Sequence, residues 1–253
     1  MTFSVWRRRF RYRAAGPITF PAWKAGNVLR GALGTVLSGE VFRPSLAEGP
    51  SGLADPPRPF VLRASHLNGQ EVQGEFWYDV HLFRPDIEGA FGLLRRIGGT
   101  AVVLDRCDDL GFASVKLDEP CAGRASASLA FEMPVRLKGL DDGERPSFEV
   151  LFARLRDRIS TLRALYGEGP LEIDFRGMAE RAGRVELESA AMRFVEVERR
   201  SSRTGQTHPL GGWVGELRYR GDLAEFWPYL VAGEYTGVGR QTVWGNGAYR
   251  LGS

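Results

Sequence analysis

Histidine, cysteine and lysine are all scarce in this chain, whose 253 residues carry three histidines, two cysteines and three lysines. Cys107 and Cys121 stand alone. That excludes a disulfide framework and a zinc knuckle, both of which need closely paired sulfur ligands. His66, His81 and His208 show no ligand spacing toward one another or toward carboxylates, so no metal site and no cofactor are expected. No apolar run is long enough to span a bilayer. The first residues, Met1-Thr-Phe-Ser-Val-Trp-Arg-Arg-Arg, contain no apolar signal segment and read as a folded strand. A cytoplasmic protein without membrane contact is the expectation.

Arginine, by contrast, is abundant. Lysine occurs only at 24, 116 and 138, so nearly all the positive charge is guanidinium, although the net charge is just +3. Guanidinium suits phosphate forks and base stacking, while a GC-rich genome would raise the arginine count for unrelated reasons. Distribution says more than the total. Arg7, Arg8, Arg9, Arg11 and Arg13 are interleaved with Trp6, Phe10 and Tyr12, and Arg199, Arg200 and Arg203 form a second cluster. Glycine is concentrated too: Gly237, Gly239, Gly245 and Gly247 bracket Arg240, Gln241 and Trp244. Such a loop can offer its N–H groups to a phosphodiester chain, with Arg240 adding a charge-assisted partner. A turn that merely lets the last strand pack would look the same. Nucleotide-binding glycine loops open a helix early in a βαβ unit, and this one closes a domain.

Periodicity gives the element order. Alternation makes 3–13 a strand, with Arg7, Arg9, Arg11 and Arg13 on one face. That face would follow a duplex stem, or serve as a solvated edge protected by charge. A helix at 22–37, strands at 60–65 and 73–83, a short helix near 86–97 and a strand at 111–118 complete β-α-β-β-α-β. The second half repeats it, with strands at 125–137, 182–199, 212–220 and 243–251. Its helices lie at 147–166 and from Asp222 to Leu230. Helix 147–166 is the plainest, because Phe148, Leu151, Phe152, Leu155, Ile159 and Leu162 recur at three- and four-residue steps. The fold class is therefore α+β, as two tandem ferredoxin-like units covering residues 1–121 and 122–253.

Several segments resemble the CRISPR-associated endoribonucleases that cut precursor CRISPR RNA, a family of the RAMP superfamily. They are Gly26-Asn-Val-Leu-Arg-Gly-Ala-Leu-Gly34, Asp55-Pro-Pro-Arg-Pro-Phe-Val-Leu62, Asp79-Val-His-Leu-Phe83, the helix Phe152 to Leu162, Arg200 to Arg203 with Leu210-Gly-Gly-Trp-Val-Gly-Glu216, and the terminal glycine loop. The resemblance implies CRISPR repeat RNA as partner, alongside other CRISPR effector subunits, and leaves monomer and homodimer both open. It also implies metal-independent cleavage, in which a ribose 2′-hydroxyl attacks the adjacent phosphate and leaves 2′,3′-cyclic phosphate and 5′-hydroxyl ends. A non-catalytic RNA-binding subunit with the same fold is the alternative.

The expected RNA contacts are Gly237, Gly239, Arg240, Gly245 and Gly247, with Arg199, Arg200, Arg203 and, inside the first-helix motif, Arg30. Candidates for the chemistry are fewer. The family often has a histidine in or near the first helix, and this helix has none. Lys24, just ahead of it, would stabilise a phosphorane or donate a proton; a solvated helix start is the plain reading. His81 shares a strand face with Trp77 and Asp79, and reads as a catalytic or a structurally satisfied imidazole. His208 lies close in sequence to the arginine cluster, and His66 reads as a surface residue beside the Asn68-Gly69 turn.

Overall fold

The computed structural model describes residues 1–37, 39–42, 56–138, 140, 144–200 and 207–252. In the first half, β1 (Thr2–Phe20), β2 (Phe60–Arg63), β3 (Gln70–Leu82), β4 (Arg96–Ile97) and β5 (Thr100–Lys116) form one antiparallel sheet in the order β2-β3-β1-β5-β4. Among the described residues three α-helices accompany it: α1 (Ala25–Leu33), α2 (Gly39–Phe42) and α3 (Glu88–Phe91). Phe10, Tyr12, Phe76 and Tyr78 leave the sheet on one face and pack with Leu29, Leu33 and Phe91. Buried there, the Tyr12 hydroxyl donates to the Phe91 carbonyl oxygen at 2.5 Å. That satisfies a polar group which would otherwise cost about 1–3 kcal/mol.

The second half forms a separate sheet from β6 (Ser126–Val135), β7 (Glu186–Val195), β10 (Gly212–Arg220) and β11 (Tyr249–Gly252), in the order β11-β6-β10-β7. The strands β8 (Glu198–Arg200) and β9 (Thr207–Pro209) pair as a side hairpin. Its helices are α4 (Phe148–Tyr166), α5 (Phe175–Ala182) and α6 (Trp227–Thr236). Apart from β4 and the hairpin, both sheets place their four main strands fourth, first, third, second, the order of a ferredoxin-like unit. Helix α4 begins where its cap dictates, with the Ser147 side chain accepting from the Val150 N–H. Its apolar stripe is fully buried against Leu129, Leu217 and Tyr219.

The two units share one core. Phe3, Val5, Val61, Phe83 and Leu117 of the first half pack into the cluster built around α4. Among the described residues, no helix is long and apolar enough to cross a membrane.

Several expectations change, among them the strand at 111–118, which begins at Thr100 as β5. The strand at 3–13 continues through Gly16-Pro17 to Phe20, because a register shift between Ala14 and Ile18 absorbs the break. It is also the central strand, paired with β3 and β5, so it is no edge. Four of its arginines meet carboxylates, while Arg7 donates to the Leu110 carbonyl oxygen at 2.7 Å; Arg9 reaches Asp79 at 2.7 and 3.0 Å, and Arg11 reaches Asp108 at 2.6 Å. Arg8 bonds to Glu88 and Asp109, while Arg13 lies between Glu75 and Asp105. The last strand begins at Tyr249 rather than 243, since Gly245 and Gly247 adopt positive φ and interrupt extended backbone. Helix α5 was not expected at all.

Candidate nucleic-acid interface

Helix α6 ends at Gly237, and the chain then folds back over β6 before entering β11. Gly237, Gly239, Gly245 and Gly247 all take positive φ. Close approach matters as much as φ. A Cβ on Gly247 would collide with the Val238 carbonyl oxygen, and one on Gly26 of α1 with that of Trp244. The glycines thus flatten the loop on itself and seat it against the first unit. Most of its amides are engaged internally. The N–H groups of Gly237, Arg240, Gly245 and Gly247 donate to the carbonyls of Gly233, Arg136, Thr242 and Pro134. Four of the five loop amides expected to face a phosphate therefore face the protein, and contact with an anion falls to side chains.

Those side chains border a cavity of about 510 Å³ between the units. Arg30 of α1, Arg58, Lys138, Arg154 and Arg158 of α4, and Arg240 of the loop all line it. Arg154 and Arg158 sit one helical turn apart, so both project to the same side of α4. Main-chain carbonyls hold them: Arg154 Nε donates to Lys138 O at 3.1 Å, and Arg158 Nε to Thr236 O at 3.2 Å. A carbonyl orients a guanidinium without cancelling its charge. Burial, reinforced by Arg63, lowers the Arg158 pKa to about 9. Asp157, the one carboxylate lining the cavity among the described residues, is bonded to Arg156 at 2.8 Å.

Trp244 forms one wall. The Arg30 guanidinium lies 4.9 Å from its ring centroid and that of Arg199 lies 5.5 Å away, distances at which cation–π attraction operates. Its indole Nε1 is buried and finds no partner among the described residues. Arg199 arrives on the β8–β9 hairpin, where its register partner is His208. Gln241, itself at φ 58, ties that hairpin to the loop by donating to Pro209 O at 3.0 Å. Arg30, Arg199, Trp244 and Arg240 are thus drawn together from three segments. Arg200 pairs with Thr207 in the same hairpin, and Arg203 lies outside the described residues.

The proton-transfer candidates are scattered. Lys24 is the N-cap residue of α1, two positions before the glycine that touches Trp244. His81 lies in a second cavity, of about 270 Å³, which Trp244 also lines. There its Nδ1 donates to Tyr235 O at 2.9 Å. Burial, and then Arg63, lowers its pKa to about 3. Such an imidazole is neutral near pH 7. His66 stacks on Trp77 with 3.6 Å between centroids, its Nε2 lying 3.0 Å from Trp77 O. Four cavity cations escaped the sequence reading: Arg58, Lys138, Arg154 and Arg158. The one signal for them was the i, i+4 arginine pair flanking the apolar stripe of α4.

The family model for CRISPR-associated endoribonuclease Cas6 matches residues 129–249. No curated protein matches the chain. Solved structures do. A Thermus thermophilus Cas6 (TTHB231) in its product complex superposes with a TM-score of 0.65 at 18% identity, covering 98% of this chain and 100% of that one. The product complex of another Cas6 (TTHA0078) gives 0.62 at 19%, covering 99% and 100%. A RAMP protein described as binding different RNA substrates gives 0.53 at 13%, covering 98% and 100%. The second half of the chain thus matches the Cas6 endoribonuclease family model, and its whole length has the fold of the solved Cas6 structures.

Proposed function

We propose that the protein cuts precursor CRISPR RNA within the repeat and holds the strand in the 510 Å³ cavity between its two units. The observation that carries this reading is the set of cavity guanidiniums oriented by main-chain carbonyls. In the reaction the 2′-hydroxyl loses its proton and its oxygen bonds to the adjacent phosphorus. The bond to the 5′-oxygen breaks, leaving a 2′,3′-cyclic phosphate, and that oxygen takes up a proton. Arg158 and Arg154 supply positive charge where the phosphorane develops negative charge, without reorganisation. Asp157, the one carboxylate lining the cavity among the described residues, is engaged by Arg156, and the reading gives the role of cation to side chains. Arg240, Arg199 and Arg30 hold flanking phosphates, and the glycines at 237, 239, 245 and 247 shape the loop that carries Arg240. Lys24, at the start of α1, and His208, on β9, are the candidates for moving protons.

A non-catalytic RNA-binding subunit is the second reading. It is favoured by the absence of histidine from α1 and the neutral state of His81. One assay separates them. The protein is incubated in EDTA with its cognate repeat RNA and with the same RNA carrying a 2′-deoxy ribose at the cut. Cleavage of the first and not the second is expected, and binding without cleavage would establish the alternative.

A further inference from the structure

Away from the basic cavity, a pocket of about 180 Å³ lies where the start of β1 meets the end of α4. Ser4, Trp6, Phe83, Arg163, Tyr166 and Glu168 are among its walls. Arg163 is the anomaly. Only 5% of it is exposed, yet its Nε and Nη1 are buried with no hydrogen-bond partner among the described residues. A guanidinium shut from water without acceptors is strongly disfavoured, and an orphaned group of this kind calls for an explanation. Its ion-pair partner, Glu168, is 74% exposed and 3.9 Å away, too far for a hydrogen bond. The arrangement is a donor set facing an acceptor set, between aromatic walls.

We infer that this pocket takes a single guanine base. Guanine presents O6 and N7 as acceptors for the guanidinium and N1–H and the 2-amino group as donors for the carboxylate, so it bridges Arg163 and Glu168. Trp6 and Tyr166 offer aromatic surface for an unstacked base. Adenine would turn its amino group toward Arg163, donor against donor. A phosphate would meet Glu168 with like charge and leave the apolar walls unused. The pocket also joins the proposed RNA path, because the Tyr166 hydroxyl donates at 2.6 Å to the carbonyl of Pro57, a residue lining the basic cavity. The guanine is therefore assigned to the bound RNA strand, and that assignment of its source rests on the RNA-cutting reading.

The test uses nucleosides, which lack the phosphate that the basic cavity would attract. Guanosine, adenosine and uridine are titrated into the full chain by saturation-transfer NMR, with inorganic phosphate as competitor. Guanosine is expected to bind at least tenfold more tightly than the other two, and phosphate not to displace it. Arg163→Met, which keeps the volume and removes the donors, should abolish the selectivity. Glu168→Gln, at an exposed position that does not endanger folding, should cost guanosine at least fivefold and leave adenosine unchanged. Equal affinities, displacement by phosphate, or a Glu168→Gln variant indistinguishable from wild type would overturn the pocket. Guanine-containing single-stranded RNA should displace guanosine where an all-adenine strand does not, and failure to displace would overturn the RNA source. Guanosine selectivity without RNA cleavage would count against the proposed function alone; cleavage without selectivity would count against the pocket alone.

Discussion

Two arginine-rich regions of this molecule look alike in composition and differ in what holds them. On β1, Arg8, Arg9, Arg11 and Arg13 lie against carboxylates carried by neighbouring segments. In the cavity, Arg154 and Arg158 lie against backbone carbonyls. The first set is neutralised and holds a sheet together. The second keeps its charge and is available to a polyanion. An arginine cluster in sequence is thus no measure of a positive surface, because cross-strand pairing can cancel it residue by residue.

That contrast can be broken at several points. Arg158→Ala should have the largest effect, lowering single-turnover cleavage by about two to three orders of magnitude if the guanidinium stabilises the phosphorane. Arg240→Ala should weaken repeat-RNA binding and reduce the salt slope of the affinity by about one, as expected for loss of one phosphate contact. Arg9→Ala should do the reverse. It strands Asp79, which is 16% exposed, so chemical denaturation should show a loss of about 1–3 kcal/mol while RNA affinity stays unchanged.

The last effect concerns pH and leaves cleavage untouched. Folding holds His81 at a pKa of about 3, against 6.5 for an ordinary histidine. Between those values the unfolded chain binds a proton that the native one does not. His81 therefore contributes stability that is fully present above pH 6.5 and is lost as pH falls toward 3, at up to about 1.4 kcal/mol per pH unit. Stability curves of His81→Gln should be flatter across that window, and the pH profile of cleavage should be the same as in wild type.

Local signals carried much of the fold. The stripe and cap of α4 and the bounds of β10 could be read from sequence because neighbouring residues alone specify them. Helix α5 could not, since only Met178 and Ala182 of its eight residues are buried and its periodicity is too thin to register. The central place of β1 depends on pairing with strands some 70 and 100 residues away, which no window sees. For the same reason the site was half legible. The glycine loop, Arg30 and the Arg199 cluster stand out as motifs, whereas Arg58, Lys138, Arg154 and Arg158 come from separate segments that only the tertiary fold assembles.

The central claim is that the cavity arginines, and not those of β1, meet the RNA. It is tested most directly by the salt dependence of repeat-RNA affinity in two double variants, Arg154→Ala/Arg158→Ala and Arg9→Ala/Arg11→Ala, each measured on protein shown to be folded. The slope should fall by about two in the first and stay at the wild-type value in the second. An unchanged slope in the cavity variant, or a loss confined to the β1 variant, would contradict it.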